Sequence, residues 1–167
     1  MKTFKKSIRF IILSLSAICL GQMATAQKSL SSKEIVIKNA VENQAYTFYA
    51  QNVTPSSGRQ RFLTSEYTLN ISKDTIESYL PFFGRAYSAP MDPSDAGIKF
   101  ASTSFDYNLA PRKKGGWNVD IKPKDAQGVQ QLTLSVFENG NATLQVISTN
   151  RQPISFNGYV AAKKERK

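Results

Sequence analysis

Histidine occurs nowhere in the 167 residues, and cysteine occurs once, at Cys19. The first absence removes Ser-His-Asp and Cys-His catalysis and leaves no general base with an unperturbed pKa near neutrality. Together the two absences remove zinc, copper and haem sites built from these ligands. Glycine-rich phosphate loops are missing too, since Gly115-Gly116 has the composition of a hairpin tip rather than of a strand-to-helix turn. No apolar run approaches the ~20 residues that a membrane-spanning helix needs. The residues therefore offer no catalytic constellation, no metal cage and no cofactor motif.

What is present begins with an ordered N-terminus. Lys2, Lys5, Lys6 and Arg9 precede the uncharged run Phe10 to Leu20, and Ala24-Thr25-Ala26 forms a small-x-small site before Gln27. This order predicts a cleavable signal peptide over residues 1–26, and hence an exported protein of the periplasm, cell envelope or exterior. The apolar run is too short for a retained anchor. Lipid attachment at Cys19 is disfavoured as well: Ile18 stands where a small residue is expected, and the cysteine lies inside the hydrophobic run. Cleavage would remove the lone cysteine and four of the 22 basic residues, leaving 18 against 12 acidic ones, a net charge of +6. Half of that charge falls in a basic tail over 163–167. Residues 27–162 have the length of a single domain and must hold together without disulfides. Nucleic acid is an unsuitable partner for a mildly basic exported chain without a basic-aromatic motif. Anionic glycans and lipid headgroups suit it better.

Ser31-x-x-Glu34 is a capping-box pattern. Ile37, Ala40, Val41 and Gln44 follow on one face, which predicts a helix over about 32–43. From Tyr46 onward the period becomes two. Tyr46 and Phe48 lead to a Pro55-Ser56-Ser57-Gly58 turn, and Tyr67, Leu69 and Ile71 lead through Lys73-Asp74 into a strand over 75–80. Phe100 to Leu109 reads as one long strand with Ala101, Phe105, Tyr107 and Leu109 on a common face. Trp117, Val119 and Ile121 alternate next, then Leu132, Leu134 and Val136. Asn139-Gly140 marks a hairpin whose two central residues both take positive φ. Ala142, Leu144 and Val146 alternate after it, and the last strand carries Ile154, Phe156 and Val160. The expected fold is mainly β, an antiparallel meander of about eight strands with one N-terminal helix packed on it. It forms either an open curved sheet or a lipocalin-like barrel.

Leu80-Pro81-Phe82-Phe83-Gly84-Arg85-Ala86-Tyr87, with Gly97-Ile98-Lys99-Phe100, Gly116-Trp117, Asn139-Gly140 and Asn150-Arg151-Gln152-Pro153-Ile154, resembles domain-of-unknown-function family 4251. The resemblance spans about 32–160 and implies a protein exported by Bacteroidetes. It brings no established activity, so no catalytic residue is carried over.

Two binding candidates stand out. Phe82, Phe83, Arg85 and Tyr87 lie where Pro81 and Gly84 interrupt strand pairing. An exposed ring beside a guanidinium can stack and pair with an anion. Arg112, Lys113 and Lys114 beside Trp117 make a cationic hairpin tip suited to anionic lipid or glycan. Alternation with Val119 and Ile121 favours an inward Trp117. Glu66 and Glu77, placed across a hairpin, are the one carboxylate pair suited to hydrolase chemistry. Asp92, Asp95 and Gly97 have calcium-loop ingredients without the spacing, which reads better as a turn. The sequence thus points to a non-enzymatic module without cofactor or metal, binding an apolar or amphipathic ligand within or across the sheet. The alternatives are a module for an envelope-protein partner and, more remotely, a carboxylate hydrolase.

Overall fold

The computed structural model describes residues 31–87 and 97–163. The proposed leader, residues 92–96 of the Asp92–Gly97 stretch and most of the basic tail lie outside them. The helix forms as α1, Ser32–Glu42, with Ser31 as its cap. Ser31 Oγ accepts the Glu34 backbone N–H at 3.2 Å, and the Glu34 carboxylate accepts the Ser31 N–H at 3.4 Å. Two donors that a helix start leaves unpaired are thereby satisfied. Ile37 and Val41 are buried, contributing roughly 2 kcal/mol each through apolar burial. Gln44, which the spacing places on the same face, instead leaves the helix at a φ of 53°.

Nine strands follow: β1 Tyr46–Pro55, β2 Arg61–Ile71, β3 Ile76–Leu80, β4 Ile98–Ser102, β5 Phe105–Pro111, β6 Trp117–Pro123, β7 Val129–Val136, β8 Asn141–Ser148 and β9 Ile154–Ala162. They form one sheet in the order β4-β3-β2-β1-β9-β8-β7-β6-β5. Its pairs are antiparallel, and all but β1–β9 join strands consecutive in the chain. The meander therefore closes by pairing its first strand with its last. Its two edges, β4 and β5, are separated only by Thr103 and Ser104, so the sheet is curled nearly shut into a barrel.

That link corrects the expected single strand over 100–109. β4 pairs with β3 and β5 with β6, so one bent strand changes partner at the bend. The Asp125 carboxylate holds the bend: it accepts the Ser102 hydroxyl, the Thr103 N–H at 2.9 Å and the Ser104 N–H at 3.2 Å. These bonds favour the charged form and hold the carboxyl down at about 2. The alternation slips by one residue here. Ile98 and Ser102 are buried before it, and Phe105, Tyr107 and Leu109 pack on the core after it, so Ala101 faces solvent. Counted as one strand, β4 and β5 make the barrel eight-stranded, in line with the expected number.

The inward side chains fill the barrel. Tyr46, Phe48, Leu69, Ile71, Ile121, Leu132, Leu134, Leu144 and Phe156 have no accessible surface. A ligand cavity would expose the groups lining it, so among the described residues the interior is packed core rather than a binding chamber. Two glycines matter to this closure. Gly140 alone takes a positive φ, 87°, while Asn139 does not, correcting the two-residue turn expected there. Phe137 to Gly140 closes instead with a Gly140 N–H to Phe137 carbonyl bond at 2.9 Å. At Gly158, a Cβ would fall 1.8 Å from the Tyr49 carbonyl oxygen, where the β1–β9 register shifts between Ala50 and Asn52.

The barrel has two unlike ends. One, the helix end, gathers α1 and the β2–β3, β5–β6 and β7–β8 turns. The other, the loop end, gathers the links that follow β1, β3, β6 and β8.

Candidate functional site: the loop end

Three of the four loop-end links, those after β1, β3 and β8, are tied to one another. Ser56 Oγ donates to the Pro153 carbonyl and Ser57 Oγ to Gln152 Oε1 at 3.2 Å, tying the link after β1 to that after β8. The link after β3 joins them through an Ala86–Arg151 bridge, with Tyr87 N–H bonded to Asn150 O at 2.8 Å and Gln152 N–H to Arg85 O at 3.0 Å. Pro81 explains why this pairing starts late, since it offers no N–H to continue β3. Phe82 and Phe83, freed from strand alternation, both pack partly on the core. Gly84 makes room for the returning ring, because a Cβ there would sit 2.9 Å from Phe82 Cζ.

Guanidinium groups cover both rings. Arg151 lies over Phe82 at 5.1 Å and Arg61 over Phe83 at 5.5 Å. Arg151 Nη1 also donates to the Gly97 carbonyl at 2.7 Å. Arg59 and Arg85 are exposed, as are Tyr87 at 69% and Phe62 at 84%. Residues 56–62, 81–87 and 149–153 carry four arginines and not one Asp or Glu. The surface offers planar donors for an anion beside uncovered apolar rings.

Phe82, Phe83, Arg85 and Tyr87, singled out from the sequence, are thus brought together. Arg61, Arg151, Arg59 and Phe62 were missed, although Arg151 stands within the Asn150–Ile154 string of the resemblance. The second candidate lies at the opposite end. There Arg112 covers the ring of Phe137, not Trp117, at 4.3 Å. Lys113 and Lys114 are exposed, and Trp117 packs partly on the core. The two sets therefore cannot share one compact ligand.

The carboxylate pair does not assemble. Glu77 is opposite Asn70, and Glu66 lies four residues further along β2, about 13 Å at strand spacing. Both are exposed. On the wall, Asp106, Asn108, Asp120, Lys122 and Gln131 line a shallow polar groove of about 250 Å³. Its carboxylates are engaged: Asp120 accepts Thr133 at 2.7 Å and Gln131 at 3.2 Å, and Asp106 pairs with Lys124 at 2.6 Å. No group of three or more His, Cys, Asp or Glu residues able to hold a metal occurs among the described residues. No helix among them is long and apolar enough to cross a membrane.

A family model described as Domain of unknown function (DUF4251) matches residues 28–160. The chain is also similar to the crystal structure of a DUF4251 family protein from Bacteroides eggerthii DSM 20697, with a TM-score of 0.58. Identity is 17%, over 78% of this chain and 87% of that one, a likeness of fold. No curated protein matches it.

Proposed function

The chain belongs to the DUF4251 family, and we propose that it is an exported, non-enzymatic binding module that takes an amphipathic anion at the loop end. The observation that carries this reading is the meeting of Arg61, Arg85 and Arg151 with Phe82, Phe83 and Tyr87 where three links of the loop end are tied together. Guanidinium groups held over rings are already partly ordered, so an anion arriving beside them costs less side-chain entropy than at free arginines. Export rests on the N-terminal pattern of residues 1–26.

Titration with dodecyl phosphate and with uncharged dodecyl maltoside tests the reading. Saturable binding of the phosphate is expected, weakened by salt and reduced at least tenfold in the Phe83→Ala/Arg85→Ala variant. Equal binding of the two amphiphiles, or an unaffected variant, would overturn it.

The filled interior supports a second reading, a protein-partner module that uses the loop end as a flat patch. Crosslinking in the native envelope with loop-end capture would support it; crosslinks confined to other surfaces would remove it.

A further inference from the structure

The strand registers place a row of side chains across the outer wall. Asn141 is opposite Tyr159, Tyr159 opposite Tyr49, Tyr49 opposite Thr68, Thr68 opposite Tyr79, and Tyr79 opposite Lys99. Phe48, Leu69, Ile76, Leu80 and Val160 point inward, so their alternate neighbours in this row point outward. From Tyr159 to Lys99 the row crosses four strand spacings, about 19 Å. Its rings are ordered in advance. Tyr49 and Tyr159 stack with centroids 5.2 Å apart and planes 14° apart, and Tyr79 stacks on Tyr67 at 5.8 Å. At those separations the rings are slipped past one another rather than covered face to face. Tyr159 stays 40% exposed and Tyr79 51%. Lys99 Nζ lies 5.1 Å from the Tyr79 ring centre.

The remainder of the wall shows that this is not how the barrel treats solvent generally. Across β6, β7 and β8 the outward side chains include Asn118, Asp120, Lys122, Gln131, Thr133, Ser135, Thr143, Gln145 and Ile147, with no ring among them. Several bond only to their neighbours, as Ser135 does to Asn118 at 2.9 Å and Thr143 to Asn157 at 2.9 Å. Beside the tyrosine row, Thr47 and Asn70 form a parallel polar step at 2.7 Å. Aromatic faces in a line, flanked by hydroxyls and amides, match a chain whose units have apolar C–H faces and hydroxyl rims.

We infer that the outer wall over β9, β1, β2 and β3 is a binding track for a glycan chain, running from Tyr159 through Tyr49 to Tyr79 and Lys99. Sugar C–H groups rest on the ring surface that the offset stacking leaves exposed, and the hydroxyl rims meet the tyrosine hydroxyls, Thr68 and Asn141. The track reaches the loop end through Tyr79, three residues before Phe82, and through Lys99, two residues after the Gly97 carbonyl that holds Arg151. Where the loop-end reading holds, one glycan-bearing anionic amphiphile can occupy both. The track stands on its own residues, so it is tested apart from that reading.

The test uses protein recovered from its own cells, with two probes. One is a broad glycan microarray; the other is lipid-free polysaccharide released from the same cells by mild acid and cast into affinity gels. The native protein is expected to bind a discrete set of glycans and to be retarded by the polysaccharide. Tyr49→Ala/Tyr79→Ala should lose at least tenfold, Tyr79→Phe should keep most of the affinity, and Ser135→Ala/Thr143→Ala on the ring-free wall should bind as the native protein does. Tyr49, Tyr79 and Phe83 are each solvent-facing or at the core margin, and melting curves verify that each variant folds. Absence of binding on both probes overturns the track, as does a Tyr49→Ala/Tyr79→Ala protein that binds normally or a wall crosslinked only to protein. Loss in the Phe83→Ala/Arg85→Ala protein alone would overturn the track while leaving the loop end standing.

Discussion

At the helix end, Tyr46 is buried and its hydroxyl lies 3.1 Å from that of Tyr107, which donates to the Val41 carbonyl at 3.1 Å. Since the Tyr107 proton is committed to Val41, Tyr46 must donate to Tyr107, and each hydroxyl of this chain is satisfied. At the loop end, the rings of Phe82 and Phe83 face guanidinium groups rather than core alone, and Phe62 and Tyr87 face solvent. The same strands feed both ends. The helix end buries Tyr46 in its closure; the loop end leaves Phe62, Tyr87, Arg59 and Arg85 exposed, at some cost in apolar exposure. A domain without disulfides draws its stability from the first arrangement and has the second available for recognition.

This contrast is most easily broken at the helix end. Tyr46→Ala removes a fully buried ring and should destabilise the fold by about 3–5 kcal/mol in urea unfolding. A loss below about 1 kcal/mol would mean that α1 and β5 do not seal that end. Tyr107→Phe should cost about 1 kcal/mol, because Tyr46 and the Val41 carbonyl lose their shared partner. The same pair sets an alkaline limit. Burial raises both hydroxyl pKa values above the ordinary value near 10. The folded state therefore holds these protons more tightly, and the stability they contribute is complete below pH ~10 and is lost as pH rises towards the folded values. Urea midpoints measured across that range should fall in the native protein and fall less in Tyr107→Phe.

The bend between β4 and β5 predicts the opposite slope. Asp125 is held at about 2, below its unfolded value near 4, so its contribution is present above pH ~4 and is lost as pH falls towards 2. Asp125→Asn keeps one oxygen for the Thr103 and Ser104 N–H groups, which share Oδ2, but turns an NH2 donor toward the Ser102 hydroxyl and removes the charge. It should lower the melting temperature at neutral pH and flatten the acid limb. An unchanged acid limb would show that the bend is held by pairing to β3 and β6 alone.

The smallest expected effect on stability belongs to the loop end. Arg85→Ala should change the unfolding free energy by less than about 0.5 kcal/mol, as for other exposed positions, while weakening ligand capture. A large loss of stability there would make the loop end structural and erase the comparison.

How far the sequence shows these features follows from the range over which each is determined. The capping box, the alternation in β1, β7 and β8 and the positions, though not the type, of the glycine turns are local and could be read directly. The bend at Thr103–Ser104 could not, because Asp125 imposes it from 21 or more residues away and shifts the alternation by one. The loop end was half legible. Pro81 and Gly84 mark the break that frees Phe82 and Phe83, but Arg61 at the start of β2 and Arg151 in the link after β8 join the site only when the barrel closes. The tyrosine row is invisible for the same reason: its members lie 20, 30 and 110 positions from one another in register, and only the ladders align them.

The most direct test of the central claim is native mass spectrometry of the protein recovered gently from its own cells, beside the Phe83→Ala/Arg85→Ala form treated identically. The account predicts a discrete added mass on the native protein that disappears on denaturation, carries an anionic group and is missing from the variant. A bare native protein, or an equal adduct on both forms, would contradict it.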